Sequence, residues 1–316
     1  MGDRFGSLDI EAAYGRIPAE LRDSPQFVHD GLSSVAHKPV IVKVETANPI
    51  RTFKGRGTWL CVSGLAEEGR ATADRAVVAA STGNFGQGVA YAARAHGIRA
   101  AVYAHAGANP RKLERIERLG AEVVRVGRDF DEAREAAEER ARAEGWMLLV
   151  DGEDQRIAVG AGTLALEVTR GAGRAELPAV ETAWVPVGNG ALISGVGTWL
   201  RSGAPGSHVV GVQSAAAPSM ALSWHAGRPI ETEAAATYAE GIATRVPVPE
   251  ALEDMRGVVD AIALVEEDEI RSAQRDLAEA LGITVEGAAS AAWAALLHDD
   301  RDGPALLIVT GSNAEQ

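Results

Sequence analysis

The sequence predicts an α/β protein of two domains, each a twisted, mostly parallel sheet covered by helices. Short apolar runs alternate with amphipathic stretches along most of the chain, and glycine-rich turns separate them. The strand-like runs are apolar throughout, as parallel strands covered on both faces must be. "RAVVAA" (75–80) reads as a buried strand and "FGQGVAYAARAHG" (85–97) as a helix ending at Gly97. "IRAAVYAHA" is the next strand. The helix "NPRKLERIERLG" follows, with Pro110 near its first turn and Gly120 past its end. "AEVVRV" and the charge-rich "DFDEAREAAEERARAEG" repeat the unit, the latter a solvated helix, and "WMLLV" closes the set. Past residue 155 the alternation resumes with "GTLALEV", "TAWVPV", "ISGVGTWLR", "HVVGVQS", a long helix around 266–281, "EGAASAAWAALLH" and "PALLIVTG". The expected division is a small α/β domain at 76–152, with a larger discontinuous one made of 1–75 plus 153–316. No tandem repeat, low-complexity tract or long linker interrupts it.

Bulk properties narrow the function. A chain of 316 residues with 46% hydrophobic and 24% charged residues has the composition of a globular protein with a sizeable core. A net charge of −13 argues against nucleic acid or anionic membrane surfaces as partners. Cys61 is the one cysteine, so no internal disulfide forms, and it reads as a buried apolar thiol rather than a nucleophile. The first 27 residues lack an apolar signal core, and no run of about eighteen apolar residues follows. A cytoplasmic protein without membrane segments is expected.

Two glycine-rich turns follow strands directly: "ASTGNFGQG" (80–88) and "VPVGNGALISG" (185–195). A strand, a glycine turn and a helix start make an anion site, because bare N–H groups converge at the positive end of the helix dipole. A dinucleotide fingerprint needs G-x-G-x-x-G and an acidic residue at the end of the next strand. The second loop has Gly195 at the wrong spacing, and its next strand ends in Gln213; the first leads on to His105. No Walker A loop, paired metal ligands or G-x-S-x-G elbow is present, so no metal is expected.

One phosphate loop combined with a scarce lysine points to pyridoxal phosphate. The chain has 31 lysines and arginines together, but only Lys38, Lys43, Lys54 and Lys112 are lysines. Pyridoxal phosphate needs an amine for its aldehyde, a cradle for one phosphate and a partner for its pyridine nitrogen. Arginine cannot provide that amine, because its guanidinium stays protonated. Lys54, in "NPIRTFKGRG" (48–57), is placed to do so.

Five motifs in order between about 40 and 313 resemble the fold-type II pyridoxal-phosphate enzymes, in particular the serine/threonine dehydratase and threonine synthase group of the tryptophan synthase beta superfamily. "KVETANPIRTFKGRG" is similar to that family's Schiff-base segment Lys-x-Glu…Asn-Pro…Ser-Phe-Lys-x-Arg-Gly. "ASTGNFGQGVAYAA" resembles Ala-Ser-x-Gly-Asn-His-x-Gln-Gly, and "VPVGNGALISG" the phosphate loop Val-Pro-Val-Gly-Gly-Gly-Gly-Leu-Ile-Ser-Gly. "VGAGTLALEV" and the closing "VTGSN" resemble Ala-Gly-Gln-Gly-Thr and Ser-Gly-Gly-Asn.

The resemblance implies a cofactor between two domains, bonded to Lys54 with Phe53 against its ring. Gly188, Asn189, Gly190, Ala191 and Leu192 would cradle its phosphate, and Asn84 would bond its phenolic oxygen. Thr310 would face the pyridine nitrogen, which a hydroxyl leaves largely unprotonated; that suits prompt expulsion of a β-group. Lys54 and Thr82 carry the catalytic assignment, with Ser81, Thr82 and Gly83 beside the substrate carboxylate. Phe85, where the family has histidine, would form an apolar wall on the substrate side. Glu286 reads either as a cofactor-side glutamate or as a helix-start carboxylate.

The implied reaction is β-elimination from a 3-hydroxy amino acid such as threonine or serine, giving a 2-keto acid and ammonia. Asn189, Ala191 and Phe85 depart from the family pattern and keep open a threonine-synthase-like replacement on a nonstandard amino acid. A non-catalytic binding protein with two anion loops is the reading from another class. "GVQSAAAPS" lacks the acids of the family's divalent-cation site, a homodimer is expected from the family alone, and no amino-acid-sensing domain is expected after the last motif.

Overall fold

The computed structural model describes residues 4–171 and 177–314. The chain begins with helix α1 (Ser7–Tyr14), strand β1 (Gln26–Val28), helix α2 (Asp30–Ala36) and strand β2 (Val40–Val44). Then come α3 (Lys54–Glu67), β3 (Val77–Ala80), α4 (Asn84–Ala95), β4 (Ala100–Ala104), α5 (Pro110–Arg118), β5 (Glu122–Arg125), α6 (Phe130–Glu144) and β6 (Met147–Leu149). The remainder is α7 (Gln155–Gly171), β7 (Thr182–Pro186), α8 (Ala191–Gly203), β8 (His208–Ser214), α9 (Ser219–Ala226), α10 (Pro249–Met255), β9 (Ala261–Val265), α11 (Glu267–Leu281), α12 (Gly287–Leu296) and β10 (Ala305–Val309).

Two compact units result: residues 1–53 with 158–316, and residues 54–157. The sequence reading sets the first boundary at 75/76; the contacts set it at Phe53/Lys54, so α3 and the segment up to residue 75 fall in the second unit. The physical reason is the crossing of α3 on α4. A Cβ on Gly88 would lie 2.5 Å from Thr58 Oγ1, and one on Gly57 would lie 2.5 Å from the Ile157 carbonyl oxygen. Only glycine permits such backbone approach.

The first unit holds a six-stranded sheet, β1-β2-β10-β7-β8-β9, parallel except for the β1–β2 pair. Strands β2, β7 and β10 are almost wholly buried; β7 and β10 read as apolar runs for that reason, while β2 buries Lys43 among its apolar residues. Apolar clusters lie on both faces. One includes Trp293 and Leu296 of α12, and the other Leu164 of α7, Ile193 of α8 and Met255 of α10. The second unit holds the parallel sheet β5-β4-β3-β6. Its helices start and stop where the sequence signals it. The Asn109 side chain caps α5 by accepting from Arg111 N, Asp129 caps α6 by accepting from Glu132 N, and Gly145 ends α6 in a left-handed conformation. The segment 162–168, "GTLALEV" in the alternation of the sequence, lies inside α7.

Candidate active site

Lys54 opens α3 in the second unit, immediately after the loop 45–53. That loop is organised by Asn48, whose amide donates to the carbonyls of Glu45 and Thr52 while its oxygen accepts from the N–H groups of Ile50 and Thr52. The Lys54 ammonium is 2.6 Å from Asp151 Oδ2, and both side chains are 16% exposed. The other carboxylate oxygen, Asp151 Oδ1, is buried with no hydrogen-bond partner.

Asp151 lies two residues past the end of β6. Strands β3 and β6 run parallel with Ala79 opposite Leu149, so Ser81 and Asp151 each stand two residues beyond that last pair. The loop 81–83 and the loop bearing Asp151 therefore leave the sheet at one carboxyl edge, where open α/β sheets bind ligands. Ser81, Thr82 and Gly83 form that turn, and Asn84 and Phe85 begin α4. The Ser81 hydroxyl accepts from the N–H groups of Gly83 and Gly86 at 3.2 and 3.0 Å, so it holds the turn closed. Thr82, Gly83 and Asn84 are half-buried, while Phe85 is buried. Because α3 and α4 touch one turn into each helix, at Thr58 and Gly88, their first residues Lys54 and Asn84 lie one turn from the same crossing.

Cys61, one helical turn further along α3, is fully buried, and burial pushes its thiol well above the ordinary range. Its neighbour Asp154 is engaged by the Arg156 guanidinium, which holds that carboxyl below the usual range against the opposing effect of burial. This cysteine is a packing residue.

The remaining assigned residues belong to the first unit. Strand β7 runs through Val187 into Gly188, Asn189 and Gly190, and α8 starts at Ala191 and Leu192. Gly190 takes φ 93°, a left-handed conformation, and a Cβ on Gly188 would lie 2.5 Å from the Gly241 carbonyl oxygen. No side chain caps α8 and no acidic residue occupies its first turn. The Ser194 hydroxyl, also in that turn, is buried without a partner. Asn189 Oδ1 accepts from the Thr244 hydroxyl at 3.2 Å, which anchors the loop. Phe53 is buried in the same apolar cluster as Leu192, and its N–H donates to the Thr310 carbonyl at 3.0 Å. Glu286 stands just before α12, and its Oε1 accepts the Asn313 N–H at 2.7 Å, so it supports the 311–313 loop.

An uncapped helix start with a buried, unpartnered hydroxyl and no acid suits a phosphate dianion. A primary amine at Lys54 suits an aldehyde. The residues present therefore fit pyridoxal phosphate. Sequence reasoning missed Asp151 and Ser194. The signal for Asp151 was an acid at the end of the apolar run 146–150; Ser194 lay inside a quoted motif.

Known proteins give the same direction. The family model described as "Pyridoxal-phosphate dependent enzyme" matches residues 17–311. An L-threonine ammonia-lyase of Geobacter sulfurreducens is 34% identical, over 97% of this chain and 75% of that protein. An L-threonine ammonia-lyase of Thermotoga maritima is 36% identical, over 90% of this chain and 69% of that protein. Among solved structures, threonine deaminase isoform 2 of Solanum lycopersicum superposes with a TM-score of 0.86 at 27% identity, covering 98% of this chain and 88% of that one.

Proposed function

The chain belongs to the pyridoxal-phosphate dependent enzyme family, and on that premise we propose that it is a lyase which eliminates water from a 3-hydroxy amino acid. Threonine or serine is the substrate, and a 2-keto acid and ammonia are the products. The observation that carries this reading is the likeness to two L-threonine ammonia-lyases over nearly the whole chain. The homodimeric state and the cytoplasmic setting are part of the same proposal. Among the described residues no helix is long and apolar enough to cross a membrane.

Bound pyridoxal phosphate supplies an electron-withdrawing ring that acidifies the α C–H bond of an amino acid. Lys54 would carry the cofactor, the N–H groups of Gly188 to Leu192 would hold its phosphate, Asn84 its phenolic oxygen and Thr310 its ring nitrogen, with Phe53 beside the ring. The turn 81–83 takes the substrate carboxylate, with Thr82 at its centre and Phe85 behind it. With its amine free, Lys54 Nζ would be the base that removes the α-proton. Loss of the β-hydroxyl then gives an enamine that tautomerises and hydrolyses in water.

The test is release of ammonia and 2-keto acid from serine, threonine, phenylserine and O-phosphohomoserine. Keto-acid release from threonine or serine is expected. Phosphate release with threonine formation from O-phosphohomoserine would establish replacement instead, and turnover of none of the four would overturn the reading.

A further inference from the structure

We propose that Asp151 is a second catalytic residue of this elimination, relaying a proton between Lys54 and the departing β-oxygen of the substrate. The inference rests on the lyase reading above and deepens it. Asp151 Oδ2 is in hydrogen-bond contact with Lys54 Nζ at 2.6 Å. Its Oδ1 is buried and has no hydrogen-bond partner. A buried carboxylate oxygen without a donor is costly, and it is relieved when the oxygen carries a proton or meets a polar group. The nearby Asp154 is already committed to Arg156 and Cys61. Asp151 therefore presents one oxygen to the catalytic amine and keeps the other without a donor, at the carboxyl edge that also carries the 81–83 turn.

The charge on Lys54 changes during turnover, and Asp151 is in contact with the atom on which it changes. In the elimination Lys54 Nζ takes the α-proton, and the C–H electron pair becomes the new Cα–Cβ π bond. The Cβ–O bond breaks with its pair remaining on oxygen. That oxygen takes the proton from Asp151 Oδ1, while Oδ2 takes the proton just acquired by Nζ. Water leaves, the lysine is neutral again and Asp151 is again singly protonated. Nothing is oxidised or reduced, and no outside acid is required. A carboxyl group suits this task because its two oxygens can accept and donate in one event.

The test separates this role from simple positioning of Lys54. Chloride leaves without a proton, so β-chloro-L-alanine bypasses the relay while L-serine needs it. In Asp151→Asn, kcat/KM for L-serine should fall about 100-fold or more, within the range of a lost general acid. That for β-chloro-L-alanine should fall much less. Equal losses on both substrates would reduce Asp151 to a positioning residue and overturn the proposal. Asp151→Glu should recover much of the serine rate, and no recovery in a folded, cofactor-loaded Asp151→Glu counts against the relay.

A readout without turnover uses the cofactor-free protein. Trinitrobenzenesulfonate attacks neutral amines, so Lys54, identified by peptide mapping, should label faster in Asp151→Asn, and an unchanged rate would overturn the pairing itself. Wild-type enzyme that binds cofactor yet eliminates from neither serine, threonine nor β-chloroalanine would sink the lyase reading, a failure distinct from that of the relay.

Discussion

The two units each contain a lysine–carboxylate pair, and the pairs are built differently. Lys43, on β2 of the first unit, is wholly buried. Its ammonium contacts Glu167 Oε2 at 2.5 Å, the Ser24 carbonyl at 2.9 Å and Gln26 Oε1 at 3.1 Å. The other oxygen of Glu167 accepts the Asp23 N–H at 2.9 Å, so both of its oxygens are engaged. In the second unit Lys54 meets Asp151, whose Oδ1 has no partner. One pair is saturated and serves the fold; the other leaves an acceptor open beside an amine. Lys38 resembles Lys43, with its ammonium on the carbonyls of Asp299 and Arg301 and on Asp299 Oδ2. Lysine is thus used here as a compact three-donor post as well as for an amine's chemistry. Rarity alone does not single out Lys54; the unsaturated carboxylate beside it does.

The contrast breaks most visibly at Lys54. Lys54→Ala should abolish the visible absorbance of the bound cofactor and lower turnover by about 10⁴-fold, the upper end for a positioned general base. A visible band that survives in that variant would place the cofactor's amine elsewhere. Next comes Lys43→Ala, which leaves Glu167 buried without its cation and should cost about 3–5 kcal/mol in urea unfolding. The double change Lys43→Met with Glu167→Leu should recover most of that loss. If Lys43→Ala kept its stability and instead lost cofactor absorbance, the division into structural and chemical pairs would fail.

The smallest effect concerns Asp254, which also has a buried, unpartnered oxygen, with Arg4 at 3.1 Å on the other. Burial pushes this carboxyl up to about 6, with Glu253 and Glu250 adding to the rise and Arg4 opposing it. A carboxyl raised above its ordinary 3.8 binds its proton more tightly when folded. Its stabilising contribution is therefore complete below about pH 4 and lost as pH rises through about 6. Asp254→Asn should leave stability unchanged at pH 4 and raise it by about 1 kcal/mol at pH 8, read by thermal melts, with turnover unaffected. A loss of turnover would show that an open oxygen away from Lys54 also bears on the chemistry.

Much of this architecture was legible in the chain. The second unit alternates strand and helix with marked caps, and its elements fall where periodicity and glycine turns place them. The 162–168 segment misled because α7 is apolar nearly all round, and a buried helix has no period to distinguish it from a buried strand. Strand β9 (AIALV) is apolar throughout and still went unread; it is an edge strand, with Ala261 and Leu264 exposed. The assignments of Lys54 and of the 188–192 loop rest on glycine spacing and residue chemistry, which restrict both strongly in the sequence. Asp151 was not legible, since an acid after a strand is commonplace in sequence and acquires meaning only when an amine is found 2.6 Å away. The boundary at Phe53 was hidden for a related reason: α3 belongs with α4 through glycine contacts that no composition shift announces.

The position of β10 bears on how the protein is made. It is the last strand among the described residues, yet it lies between β2 and β7 in the first unit's sheet. The segment following it bonds back to the loop before Lys54, through Thr310 to Phe53, Ser312 to Arg51 and Asn313 to Ile50. On the ribosome the second unit, continuous in sequence, can close while synthesis continues. The first unit's sheet must wait with a gap at its centre until residue 309 has emerged. A nascent chain therefore carries Lys54 and residues 188–192 long before β10 joins the first unit's sheet, and that sheet is completed in one late step.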